Sequence, residues 1–451
     1  MYSLGRHKEE IKTILRMAYP ISLGQFGIML MNIVDSVMVG NLSAADLAAS
    51  SVAHSLFILV LIFGLGISYA VTPLVAIAIG ENDTSHCGGL VKQSLYVNII
   101  TGIFLAFFSY YTSGILYVLG LPEEITGKAV SYLRILGYSM FPVMIGQTFK
   151  QFFDGFGIMK PGMYASLSAN IINFLTNWLL IFGNLGFPQM GLDGAGYATL
   201  FSRIYMALFL ILYFYYDNRF RVYRFNFLDF RIEARDFMKI IRLGIPVGLQ
   251  HFFEVGAFSL ASIMVAWIGV KELAAHQIAM NIASITFMLI LGISSAAAVR
   301  IGNAYGERDL NKIRNIGNLG MGISLGLEVF FGLLLVIFKG ILPWFYVKDG
   351  GVVEIASGLL IIAALFQIFD GLQATGIGIL RGLTDMKVPM VMSFGSYWLV
   401  GIASGYVLAF IFSLGIYGIW IGFLLSLITS SSLFYFRFRL KLRHFKETFP
   451  R

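Results

Sequence analysis

Twelve separate stretches of this chain are apolar over about 20 residues or more, the length a helix needs to cross roughly 30 Å of hydrocarbon. They fall at 14–39, 53–79, 91–119, 130–154, 162–184, 193–216, 239–268, 274–302, 315–343, 354–380, 388–413 and 416–438, counted below as spans 1 to 12. Such a pattern leaves few folds open. Lipid offers no partner for a backbone N–H or C=O, so each stretch must satisfy its own as a helix. Only 12% of the 451 residues are charged, where soluble chains carry about 25%, so the charges cannot coat a water-soluble globule. The predicted class is an all-α polytopic membrane protein of twelve transmembrane helices. The basic, amphipathic start leads into an apolar run that reaches Val39 without a small-residue cleavage site, and it reads as a first span rather than a removable signal. One cysteine, Cys87, excludes an internal disulfide and a multi-cysteine metal site.

The net charge of +8 reads as topology rather than nucleic-acid binding, because the basic residues sit in alternate breaks. One side holds Arg6, Lys8, Lys12 and Arg16, the break with Arg219, Arg221, Arg224, Arg231, Arg235 and Lys239, then Arg308, Lys312 and Arg314, and a tail from Arg437 to Arg451. The other side holds Lys128, Lys271, Lys339 and Lys348. The positive-inside rule then expects both termini in the cytoplasm, and an even number of spans requires them to lie on the same side.

The halves repeat. Shifting the chain by 226 residues puts Arg16 and Pro20 on Arg242 and Pro246, Leu47-Ala48-Ala49 on Leu273-Ala274-Ala275, and Leu65-Gly66-Ile67-Ser68 on Leu291-Gly292-Ile293-Ser294. The same shift puts Gly80-Glu81-Asn82-Asp83 on Gly306-Glu307-Arg308-Asp309, and with one residue of slip Gly155, Met159 and Lys160 meet Gly382, Met386 and Lys387. A period this long marks duplicated domains. Six spans per repeat preserve orientation, so the repeats are parallel. The expectation is an N-lobe at 1–216, a cytoplasmic linker at 217–238 and a C-lobe at 239–451. Two such six-helix lobes around a central cavity make a transporter architecture.

Ionisable groups are expensive within the bilayer and usually face a partner or a pathway. Asp35 on span 1, Glu254 on span 7 and Asp370 on span 10 stand out. Ser166, Asn170, Asn173 and Asn177 recur at helical spacing on one face of span 5, and Thr199 on span 6 lies at a depth similar to Asn177. These can converge with Asp35. Gln250 shares a face with Glu254, and Gln367 and Gln373 flank Asp370 three residues to either side. At about 1.5 Å per residue, Glu254 and Asp370 both fall near the midplane. Carboxylate and neutral oxygen ligands suit a hard cation or a proton. Arg203 and Glu328 read as groups that snorkel or pair structurally, and His276 and Gln277 as packing residues. Pro20, Pro73, Pro142 and Pro246 lie inside spans and can kink them; Pro20 shares a helix with Asp35. No GxxxxGK[ST] phosphate loop and no HExxH pair occurs, so neither a built-in ATPase nor that metal site is expected.

With these residues in hand, the chain resembles the multidrug and toxic compound extrusion (MATE) family, in its NorM-like branch. The likeness rests on Val34-Asp35-Ser36-Val37-Met38-Val39-Gly40, Pro142, Asn173 with Asn177, Glu254, Leu273-Ala274-Ala275-His276-Gln277 and the stretch from Gln367 to Gly382. The resemblance implies a multi-pass protein of the bacterial inner membrane that exports cationic or amphiphilic organic compounds in exchange for Na⁺ or H⁺. It implies no enzyme activity, no cofactor besides the coupling ion, no nucleic-acid partner and a monomer. It matches Glu254 and Asp370 to C-lobe cation-coupling acids, and Asp35, Asn173, Asn177 and Thr199 to an N-lobe cation site. Asn177 stands where some relatives carry an aspartate. A lipid-linked saccharide flippase is the alternative, but it calls for a basic lining. A membrane-embedded enzyme would call for clustered catalytic residues at a membrane face.

Overall fold

A computed structural model describes residues 4–118, 122–225 and 231–448. Arg451 and part of the expected 217–238 linker, residues 226–230, lie outside them. Among the described residues the chain is helical, without a strand. Twelve helical segments are long and apolar enough to span a membrane: His7–Gly40, Ala44–Gly80, Thr84–Tyr117, Glu123–Gly155, Lys160–Phe182, Gly191–Tyr216, Ala234–Ile268, Val270–Gly306, Leu310–Phe338, Gly350–Gly382, Lys387–Ile411 and Gly415–Glu447. Several run past the apolar stretch itself, because capping residues extend them. Ser43, Asp83, Asp309 and Asp349 each accept a hydrogen bond from a backbone N–H of the turn they open.

Prolines break two spans. Span 2 is interrupted at Tyr69 and Ala70, ahead of Pro73, and span 4 at Ser139, ahead of Pro142. Each break lies three to four residues before the proline, where the missing N–H leaves a carbonyl unpaired. Pro20 and Pro246 sit inside continuous helices, Leu4–Gly40 and Ala234–Ile268.

The repeat extends to backbone geometry. Asn82 and Arg308, 226 residues apart, both take left-handed φ, at 58° and 57°. Each precedes the aspartate that caps the next helix, Asp83 and Asp309.

The chain forms two compact units, Met1–Ser22 with Leu249–Arg451, and Leu23–Gly248. This division differs from one at 216 and 239. It cuts spans 1 and 7 two residues after Pro20 and Pro246, so the start of each helix belongs with the opposite lobe. Glycine accounts for the exchange. An added Cβ at Gly66 of span 2 would lie 2.4 Å from Gly248 Cα of span 7, and one at Gly292 of span 8 would lie 2.5 Å from Ala18 O of span 1. Gly66 and Gly292 are repeat counterparts, and only a residue without a side chain permits such approach. Polar side-chain contacts fasten the same two helix starts. Arg300 Nη2 donates to Glu10 Oε1 at 2.7 Å, and His86 Nε2 lies 2.8 Å from Asp236 Oδ2. Glu10 and Asp236 are again 226 positions apart.

Candidate functional site

In the unit Leu23–Gly248, spans 1, 5 and 6 bring the expected N-lobe residues together. Asn177 Nδ2 donates to Asp35 Oδ1 at 2.5 Å and to Asn173 Oδ1 at 3.1 Å. Thr199 Oγ1 donates to Asp35 Oδ2 at 3.1 Å. Asn173, Asn177 and Thr199 are buried, yet Asn173 Nδ2 and Asn177 Oδ1 have no hydrogen-bond partner. An unmade buried bond costs about 1–3 kcal/mol, so this polar pocket retains unspent ligand capacity. The rest of the span 5 face does different work. Ser166 Oγ and Asn170 Nδ2 donate to Gly24 O at 2.7 Å and Gly27 O at 2.9 Å, which ties span 5 to span 1. Arg203 is paired, as expected: Nη1 donates to Ser139 Oγ at 2.5 Å and the guanidinium lies 4.6 Å from the Phe57 ring centre. It also stands within electrostatic reach of Asp35.

In the other unit, Glu254 and Asp370 interact electrostatically across spans 7 and 10. Tyr397 Oη donates to Glu254 Oε1 at 3.1 Å, and His251 Nδ1 lies 3.7 Å from Glu254 Oε2. Asp370 is buried, and among the described residues no hydrogen bond reaches its carboxylate. Gln373 is fully buried and neither amide atom has a partner. Gln250 and Gln367 are more committed. Gln250 Nε2 donates to Ser393 Oγ at 3.0 Å, and Gln367 Nε2 donates to Thr286 Oγ1 and to Ala283 O. His276, between Ser262 Oγ at 3.0 Å and Trp420 Nε1 at 3.2 Å, is a packing residue. Among the described residues, no three His, Cys, Asp or Glu side chains lie close enough to enclose a metal.

Sequence reasoning missed two neighbours of Glu254. His251 was open to discovery, being one helical turn away on the same face. Tyr397 was not, because it sits in a π-helical stretch of span 11, Gly395–Ile402, where helical periodicity misplaces side chains.

Twelve spans, a twofold repeat and two buried polar sites define a polytopic helical transporter. The MatE family model matches residues 20–179 and again 246–407, the second match starting 226 residues after the first. The chain belongs to this family, and so to transporters rather than enzymes. It is 31% identical over 436 residues to the multidrug resistance protein NorM of Vibrio vulnificus strain YJ016, covering 95% of each chain. To the multidrug resistance protein NorM of Vibrio cholerae serotype O1 it is 30% identical over 431 residues, covering 94% of each. Its fold matches a structure described as the outward-facing conformation of a multidrug resistance MATE family transporter of the MOP superfamily, with a TM-score of 0.89, 20% identity and 97% of each chain covered.

Proposed function

We propose that this chain is a secondary active multidrug efflux antiporter that exports organic cationic or amphiphilic compounds from the cytoplasm in exchange for Na⁺ or H⁺. The observation that carries the reading is Asp370: a buried carboxylate without a hydrogen bond among the described residues, beside a second acid, Glu254. Fixed burial of such a group beside a second acid is costly, and an exchangeable cation offsets that cost. Glu254 and Asp370 are the coupling pair, and Asp35, Asn173, Asn177 and Thr199 form a second cation site. We place the protein in the bacterial inner membrane as a monomer, and the basic residues of its loops put both termini in the cytoplasm on this reading. Sodium is the favoured ion, because the acid pair is present. The acidic character around Asp370 supports a cationic cargo over the diphosphate of a lipid-linked saccharide.

The test is efflux of a fluorescent organic cation from proteoliposomes under imposed Na⁺ or H⁺ gradients. Uphill efflux driven by one gradient is the expected result. Flux that only follows the cargo's own gradient, whichever ion gradient is imposed, overturns the antiport reading.

A further inference from the structure

Glu328 on span 9 is 1% exposed, and its Oε2 has no hydrogen-bond partner. It is not tucked there by chance of packing. A Cβ at Gly371 would lie 2.6 Å from Glu328 Cγ and 3.5 Å from its Oε1, so glycine next to Asp370 opens the notch that admits this acid. Glu328 and Asp370 act on one another electrostatically. One turn along the same helix pair, Ser324 Oγ and Thr375 Oγ1 are 2.5 Å apart, so a polar seam joins spans 9 and 10 inside the bundle. Span 10 also carries a polar group to the Glu254 end of the lobe. Gln373, three residues beyond Asp370 on span 10, approaches the Tyr397 hydroxyl that bonds Glu254, yet both its amide atoms lack hydrogen-bond partners.

A merely structural glutamate at this depth would be paired. This one faces another acid, with no basic side chain bonded to it among the described residues. The geometry points to a second sodium position in this lobe, held by Glu328 and Asp370, distinct from the Glu254–Tyr397 end. Two carboxylates with neutral oxygens suit a small hard monovalent ion, whereas a closed cage of three or more acids would favour a divalent one. An ion there would satisfy Glu328 Oε2, an acceptor otherwise left without a partner. Sodium passing between the two positions would use Asp370 as the shared ligand. The inference rests on the antiport reading and adds to it a residue and a site.

The experiment measures ²²Na⁺ binding to the purified full chain in nanodiscs, beside ion-driven efflux in proteoliposomes. Glu328→Gln keeps the shape and an oxygen ligand but removes the charge, and it is expected to weaken Na⁺ binding about tenfold or more. Glu328→Asp is expected to lose less, since it keeps the carboxylate. Gly371→Ala closes the notch and is expected to reproduce the Glu328→Gln loss. Sodium binding in Glu328→Gln equal to wild type overturns the inference, as does a wild type that exports against its gradient without binding Na⁺. In both cases the antiport reading stands. A wild type with no coupled efflux sinks that reading instead, a result separate from the binding measurement.

Discussion

Asp35 and Asp370 are both acids within spans, half-buried and buried respectively, and their surroundings differ. Asp35 receives hydrogen bonds from Asn177 and Thr199 and has the Arg203 guanidinium within electrostatic reach. Asp370 receives no hydrogen bond among the described residues and faces Glu254 and Glu328. One lobe offers its carboxylate a polar cradle and a nearby guanidinium; the other gathers acids around Asp370, with His251 and Tyr397 set against Glu254 rather than against Asp370. A low-dielectric interior magnifies that difference, because an uncompensated charge costs far more there than in water. The C-lobe acids therefore have the stronger demand for a mobile cation, and the N-lobe site has the weaker one.

The largest effect should come from Asp370→Asn. Coupled efflux in proteoliposomes is expected to fall at least about thirtyfold, the loss of roughly 2 kcal/mol of cation binding. Near-wild-type coupled efflux in this variant would erase the contrast. Asp35→Asn should cost about tenfold or less in the same assay, because Asn177 can still donate to the amide oxygen and the Thr199 hydroxyl can turn to accept from the amide nitrogen. A loss as large as that of Asp370→Asn would show the two lobes to be equally dependent on their acids. Arg203→Gln sharpens the comparison from the other side. Removing the tethered cation is expected to tighten Na⁺ binding at Asp35 several-fold, about 1 kcal/mol, read as a leftward shift of the binding isotherm. An unchanged isotherm would mean that Arg203 serves only Ser139 and Phe57. The smallest effect belongs to Thr199→Val, which deletes one of the bonds to Asp35. It should lower stability by about 1 kcal/mol in denaturant unfolding and change coupled efflux about twofold.

Hydropathy alone reveals much of this architecture, since crossing lipid imposes one length and one secondary structure. The 226-residue repeat was legible for a related reason: Gly66 and Gly292 are held by backbone contact, and Asp83 and Asp309 by capping. Chemistry did not follow the repeat. At the same offset Asp35 meets Ala261, Glu254 meets Ile28 and Glu328 meets Gly102, so each acid is present in one lobe only. Asp35, Asn173, Asn177 and Thr199 could be grouped in advance because span 5 displays its amides at helical spacing. Tyr397 could not, for the π-helical turn that carries it leaves no trace in the pattern. Glu328 was readable as a lone acid, but its lack of a partner and its notch at Gly371 exist only in three dimensions. Likewise, the exchange of helix starts depends on contacts between residues more than 200 positions apart, beyond any local signal.

That exchange has a consequence for biogenesis. The segment up to Ser22 is made before residues 23–248, but the rest of its compact unit begins only at Leu249, and its partners Gly292 and Arg300 lie further on. During insertion it must therefore wait in the membrane with Gly292 and Arg300 not yet synthesised. A ribosome stalled in the 217–238 region would leave a half-chain with an orphaned helix start at one end and, at Gly66, a groove still empty of span 7. Quality-control proteases that recognise unpacked membrane helices would find both faults in that half-chain, and completing the polypeptide would hide them together.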